Sequence, residues 1–172
     1  MEFLPNNYET PATNANYLKF ADGETRFRIL SKPVIGWLDW KDKKPLRFPM
    51  NAKPEKPVDP TKPIKHFWAM LVWNYAASRV QVLEITQSTV QKAIEHLSKD
   101  ADWGAPFGYD IKVTKKGKDK DTEYSVTPTK PKTFEHYETA KDVKVCLNEL
   151  FTGGDPFNST STPTEIEVDP FQ

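Results

Sequence analysis

Two apolar runs, His66 to Tyr75 (HFWAMLVWNY) and Arg79 to Thr86 (RVQVLEIT), stand only three residues apart, and that spacing constrains the fold more than any other feature of the chain. Runs of this length, rich in β-branched and aromatic residues and joined by Ala76, Ala77 and Ser78, read as a β-hairpin. Strand alternation sets Phe67, Ala69, Leu71, Trp73 and Tyr75 on one face and His66, Trp68, Met70, Val72 and Asn74 on the other. One face must enter the core. The face with His66 and Asn74 is the more polar, so Trp68 is predicted to point outward and Trp73 inward.

Further strands are predicted on both sides of this hairpin. Thr25, Phe27 and Ile29 alternate with Arg26 and Arg28 after an Asp22-Gly23 turn, and Val34 to Trp40 is extended. Tyr109, Ile111 and Val113 pair naturally with Tyr124 and Val126 across a lysine-rich tip. Ser88 and Gln91 have capping-box spacing, and Val90, Ala93, Ile94 and Leu97 follow at helical intervals. Val143, Cys146, Leu147 and Leu150 mark a second, closing helix before Gly153 and Gly154. Strands dominate without a βαβ alternation, which predicts a mainly β fold: a five-stranded OB-type barrel with one or two short helices and a disordered C-terminal tail. Residues 1–16 are read as an irregular arm, 17–152 as the folded domain and 153–172 as a disordered acidic tail. Within the domain, residues 41–65 hold six prolines, eight bases and three acids, and are expected to form a largely mobile basic loop with Leu46 to Phe48 as at most a short edge strand.

The formal net charge is zero, but it is unevenly spread. All 24 Lys and Arg lie between Lys19 and Lys144 together with 17 of the 24 acids, leaving a surplus of seven positive charges there. The stretch after Lys144 has five acids and no base. A basic body with an acidic end suits a polyanion binder. The single cysteine, Cys146, excludes an internal disulfide or a four-thiolate zinc site and fits a reducing compartment. No run approaches the ~20 apolar residues of a membrane span, and the start of the chain lacks the pattern of a secretory signal, so a soluble intracellular protein is expected.

Catalysis finds little support. His66, His96 and His136 are dispersed, and there is neither a phosphate-cradling glycine loop nor a metal-ligand spacing. No cofactor is implied. Aromatic residues, by contrast, make up 12% of the chain and often sit beside cations. Single-stranded nucleic acid calls for this mixture, since bases stack on aromatic faces while Lys and Arg neutralise phosphates. The stacking candidates are Trp37, Trp40, Phe48, Trp68, Tyr109 and Tyr124; the phosphate candidates are Arg26, Arg28, Lys41, Lys43, Lys44, Arg47, Lys65 and Lys112. Trp103, in a turn with Gly104 and Pro106, reads as a structural plug. The C-terminal stretch Glu165-Ile-Glu-Val-Asp-Pro-Phe-Gln172 offers carboxylates and a Phe side chain to a partner's pocket.

Together the GETRFRIL strand (Gly23 to Leu30), GWLDW (Gly36 to Trp40), the hairpin from Phe67 to Gln87, WGAPFGYDIKV (Trp103 to Val113) and the acidic tip resemble phage-encoded single-stranded DNA-binding proteins with an OB fold. The resemblance implies coating of single strands without strong sequence preference during phage DNA replication or recombination, in the cytoplasm of a bacterial host. It also implies that Glu165, Glu167, Asp169, Pro170 and Phe171 recruit replication or recombination proteins. In the absence of DNA the tail could occupy the DNA groove. Two other readings remain: a protein-interaction adaptor whose aromatic barrel face binds a peptide, and a carbohydrate-binding β-domain, which leaves the clustered lysines unexplained.

Overall fold

The computed structural model describes Phe3 and residues 16–168. The chain is mainly β. Among the described residues eight strands run in the order β1 (Tyr17–Leu18), β2 (Gly23–Ile29), β3 (Val34–Lys41), β4 (Lys44–Pro49), β5 (Lys65–Asn74), β6 (Arg79–Ile85), β7 (Ile111–Lys116) and β8 (Glu123–Pro128). Helix α1 (Ser88–Lys99) follows β6, and the short α2 (Tyr137–Ala140) and a 3-10 turn (Leu147–Phe151) follow β8.

The predicted hairpin is present as β5–β6, paired antiparallel from Trp68↔Ile85 to Asn74↔Arg79. One edge of β5 carries β6, while its other edge carries β3 along one half and β2 along the other. The strands β2 and β3 therefore act as one long strand with an interruption. Ile29 pairs with Val72 and Val34 with Ala69, so five steps along the first strand match three along the second. The ladder continues through Leu30 N–H, which donates to Leu71 O at 2.8 Å. Leu71 N–H is served by the Ser31 side chain instead, donating to Oγ at 2.9 Å. A hydroxyl at the bulge thus completes a pairing that the backbone leaves open.

The expected five-stranded barrel is not what forms. The sheet is open: among the described residues β1 pairs with β6 alone, β4 with β3 alone and β8 with β7 alone. The physical reason lies in what covers the free edges. Helix α1 packs beside β8, and the 3-10 turn Leu147–Phe151 packs beside β4, both strands with only one paired edge.

From Ala69 to Asn74 both faces of β5 are buried, which explains its unbroken apolar run. On one side Phe67, Ala69, Leu71 and Trp73 join Leu30, Leu38, Val80 and Val82 in a core roofed by the C-terminal segment through Phe134, Val145, Leu147, Leu150 and Val168. On the other side Met70 and Val72 join Phe27, Ile29, Leu83, Ile85, Ile111 and Val113, with Val90 and Ile94 of α1. The expectation that the second face of β5 meets solvent therefore holds only at its start, where His66 and Trp68 are half-buried, and fails from Met70 onward.

Two further expectations change. The Ser88/Gln91 capping box is not made. Gln91 turns inward instead, and its Nε2 donates to His66 O at 3.1 Å and Ile85 O at 2.8 Å, tying α1 to the ends of β5 and β6. Of the segment expected to be a disordered tail, residues 156–168 lie on the first core: Cys146 N–H donates to Pro156 O, Thr164 N–H to Val145 O and Glu167 N–H to Leu30 O, and Val168 is buried. Apolar residues at Phe157, Ile166 and Val168 give it enough surface to bury.

Candidate nucleic-acid interface

Residues directly paired across a sheet share a face, as do residues two apart on a strand. Trp37 pairs with Phe48 on one side and His66 on the other, and Ile35 pairs with Trp68. Ile35, Trp37, Phe48, His66 and Trp68 therefore form one continuous row across β3, β4 and β5. The row extends the face of the second core past the point where α1 covers it. Its members are half-buried, and Ile35 is 42% exposed.

Local contacts hold the row in shape. Trp37 Nε1 donates to Met50 O at 3.1 Å, and its ring lies 5.1 Å from that of His66. His66 Nδ1 is 2.9 Å from Gly36 O; since a carbonyl can only accept, this nitrogen carries the proton. Gly36 is required here, because a Cβ at that position would meet Phe48 O at 2.1 Å and the Phe151 ring at 3.1 Å.

The proline-rich segment is more ordered than its composition implies. It opens with a tight turn in which Asp42 and Lys43 have φ of 51° and 65°, the primed geometry that suits a two-residue hairpin, and it contains β4. Asp39, buried, accepts Val58 N–H at 3.0 Å and so pins the far part of the loop to β3. Lys53 from this loop lies over the Trp37 ring, its Nζ 4.3 Å from the centroid. This is a cation–π contact at a partly open surface.

The other sequence-selected residues fall elsewhere. Trp40 is 37% exposed on the opposite face, lining a shallow cavity of about 320 Å³ with Lys43 and Lys62. Lys41, Lys43, Lys44 and Lys65 are exposed around the β3–β4 turn and the start of β5. Arg47 is on the far face, paired with Glu84 at 2.6 Å and lying over Phe67. Lys112 is half-buried beside Arg26 in the β2–β7 register. Tyr124 packs against Phe20 at the edge of the second core. Tyr109 is in the interior, its hydroxyl donating to Gly104 O at 3.0 Å and its ring edge-on to Trp103. The short turn from Trp103 to Gly108 swings it inward, which removes it as a surface stacker.

Arg28 is likewise internal. Its Nε donates to Asp110 Oδ1 at 2.6 Å, and its two terminal nitrogens donate to Phe107 O and Lys132 O, each at 3.1 Å. With all three nitrogens engaged and almost no exposure to solvent, it organises the interior rather than a phosphate. Arg26 grips the other carboxylate oxygen of Asp110 at 2.7 Å and lies over the Tyr75 ring. Burial raises the carboxyl pKa of Asp110, but hydrogen bonds from Tyr75, Arg26 and Arg28 outweigh it and hold the group below its usual value. Burial, followed by the bond to Asp110, pushes the Tyr75 phenol upward.

The tail residues Glu165 and Glu167 belong to the segment on the first core, with Glu167 4.0 Å from Lys32. Asp169, Pro170 and Phe171 lie outside the described residues. The described part of the tail occupies the face opposite the aromatic row, so the expectation that it fills the same groove does not hold for residues 156–168. Ile35 and Lys53 join the site without a local sequence signal that marks them as members. The pairing of Ile35 with Trp68 needs the register; Lys53 had no signal beyond belonging to a basic loop.

Among the described residues no group of three or more His, Cys, Asp or Glu could hold a metal ion, and no helix is long and apolar enough to cross a membrane. No protein-family model matches the chain, and no solved structure matches it. Among curated proteins it is 31% identical over 139 residues to a protein of Escherichia phage T5 described as a "Probable ssDNA-binding protein". The match covers 64% of this chain and 53% of that protein, so the chain spans about half the length of this relative.

Proposed function

We propose that this protein binds single-stranded DNA on the Ile35–Trp37–Phe48–His66–Trp68 face. The observation that carries the reading is the convergence of these side chains from three strands onto one face, with Lys53 above Trp37 and the turn lysines 41, 43 and 44 at its end. Aromatic faces accept any base and lysines accept any phosphate, so binding is tolerant of sequence. The similarity to the phage T5 protein supports the same reading. The single strand would run across β3–β5, stacking on Trp37, Phe48 and Trp68, while Lys53 leaves the Trp37 ring for a phosphate.

In this reading the protein is not an enzyme. It covers transient single strands during phage DNA replication or recombination in the host cytoplasm, and the acidic C-terminal tip meets other replication or recombination proteins.

The test is tryptophan fluorescence during titration with a mixed-sequence single strand of roughly 30 nucleotides, with matched duplex as control and at two salt concentrations. Quenching by the single strand that salt weakens, and that duplex does not reproduce, is the expected result. Absence of quenching at low salt overturns the proposal and favours a peptide-binding adaptor.

A further inference from the structure

We infer that the cavity beside Trp68 receives one unstacked base of the bound strand; this rests on the single-strand reading above and adds a specific subsite to it. The cavity measures about 230 Å³ and opens between the sheet, α1 and the turn before Tyr109. Ile29, Trp68, Met70, Ile94 and Phe107 form apolar walls, and Ser98 stands among the residues that α1 contributes.

Its size and walls narrow the occupant. Small-molecule sites commonly run to ~300–1,000 Å³, so this one suits a single ring system rather than an extended ligand. The lining is almost wholly apolar, which disfavours a cluster of ordered water. Trp68 and Phe107 are flat surfaces of the kind that hold a planar ring.

Position supplies the rest. Trp68 belongs both to the aromatic row and to the cavity wall, so a strand following Trp37 and Ile35 arrives at the cavity with its next base. A base in a single strand has no partner to leave, and turning it out of the stack costs far less than in a duplex. Glu95 and Ser98 on α1 also line the cavity, but Ser98 Oγ donates to Glu95 O at 2.8 Å and the Glu95 carboxylate holds Lys99 at 2.7 Å, so the polar edge of the base would face the open mouth. The phosphates on either side would stay in solvent.

The three methionines of the chain make a direct test possible, because Met70 lines this cavity and is otherwise sealed from solvent. In the full chain carrying ¹³C-methyl methionine, a mixed-sequence single strand is expected to move the Met70 methyl signal upfield through the ring current of the inserted base. An abasic strand of the same length should leave it in place. Binding detected by anisotropy without movement of Met70 overturns the inference and leaves the aromatic-face reading standing. Failure of the single strand to bind overturns both.

Ser98→Phe, which fills the mouth from α1, is expected to abolish the Met70 shift and weaken binding about tenfold, the loss of one base's stacking. Unchanged affinity in a folded Ser98→Phe protein overturns the inference. Should that variant not fold, the Met70 measurement on the native chain decides alone.

Discussion

Arg28 and Asp110, 82 positions apart in the chain, meet at 2.6 Å with side-chain exposures of 1% and 0%. This pair locks β2 to the segment entering β7 and also gathers Arg26 and Tyr75. Asp110→Ala leaves the Arg28 guanidinium buried without its counter-charge and is expected to cost about 3–5 kcal/mol in urea denaturation. Arg26→Ala, at the half-open end of the same network, is expected to cost about 1 kcal/mol.

The same carboxylate sets an acid limit. Because its folded-state pKa lies below the unfolded value, its contribution is present above the unfolded carboxylate pKa and is lost as pH falls through the folded one. Melting temperature is therefore expected to decline steeply only below about pH 4. Asp110→Asn should flatten that limb when melting is followed against pH.

Trp37→Ala and Trp68→Ala are each expected to weaken single-strand affinity about 5- to 100-fold, read by fluorescence anisotropy of a labelled oligonucleotide. Trp40→Ala, on the opposite face, should leave affinity near that of the native chain. Equal losses at Trp37 and Trp40 would contradict the assignment of the face.

Replacing Lys41, Lys43 and Lys44 together by Ala is expected to reduce the slope of log affinity against log salt by about 2, since each phosphate neutralised on a single strand contributes about 0.7. Melting temperature should barely change, because all three side chains are exposed.

Val168→Ala is expected to cost about 1–3 kcal/mol, and truncation before Gly153 should leave the first core open and the protein prone to aggregate. Urea denaturation and light scattering check the two outcomes.

The strands were legible in the sequence wherever alternation or a continuous apolar run marked them, as in β2, β5–β6 and β7–β8. The β3–β4 hairpin was legible only in part: its strands could be read as an extended segment and a short edge strand, but Asp42-Lys43 lacks the Asn or Gly that usually announces a primed turn, and the prolines at 45 and 49 limited the second strand to an edge. An edge strand tolerates both. The second buried face of β5 was hidden for a related reason: Asn74 looked solvent-facing, yet it is buried with its side chain donating to Gln81. Arg28 looked like a surface cation because its counter-charge comes from a distant part of the chain. Of the candidate site, Trp37, Phe48 and Trp68 could be named from composition, but their sharing one face depends on a register that no local signal encodes.

That register turns on the interruption between Ile29 and Val34. Two extra residues are an even number, so the inward and outward alternation resumes in phase: Ile35 and Trp37 emerge on the side that Ile29 left. An odd number would invert everything downstream. Loss of one residue between Leu30 and Pro33 would turn Trp37 into the first core and Leu38 toward solvent, whereas loss of two would preserve the row. The length of this short link is thus a parity condition on the whole aromatic face.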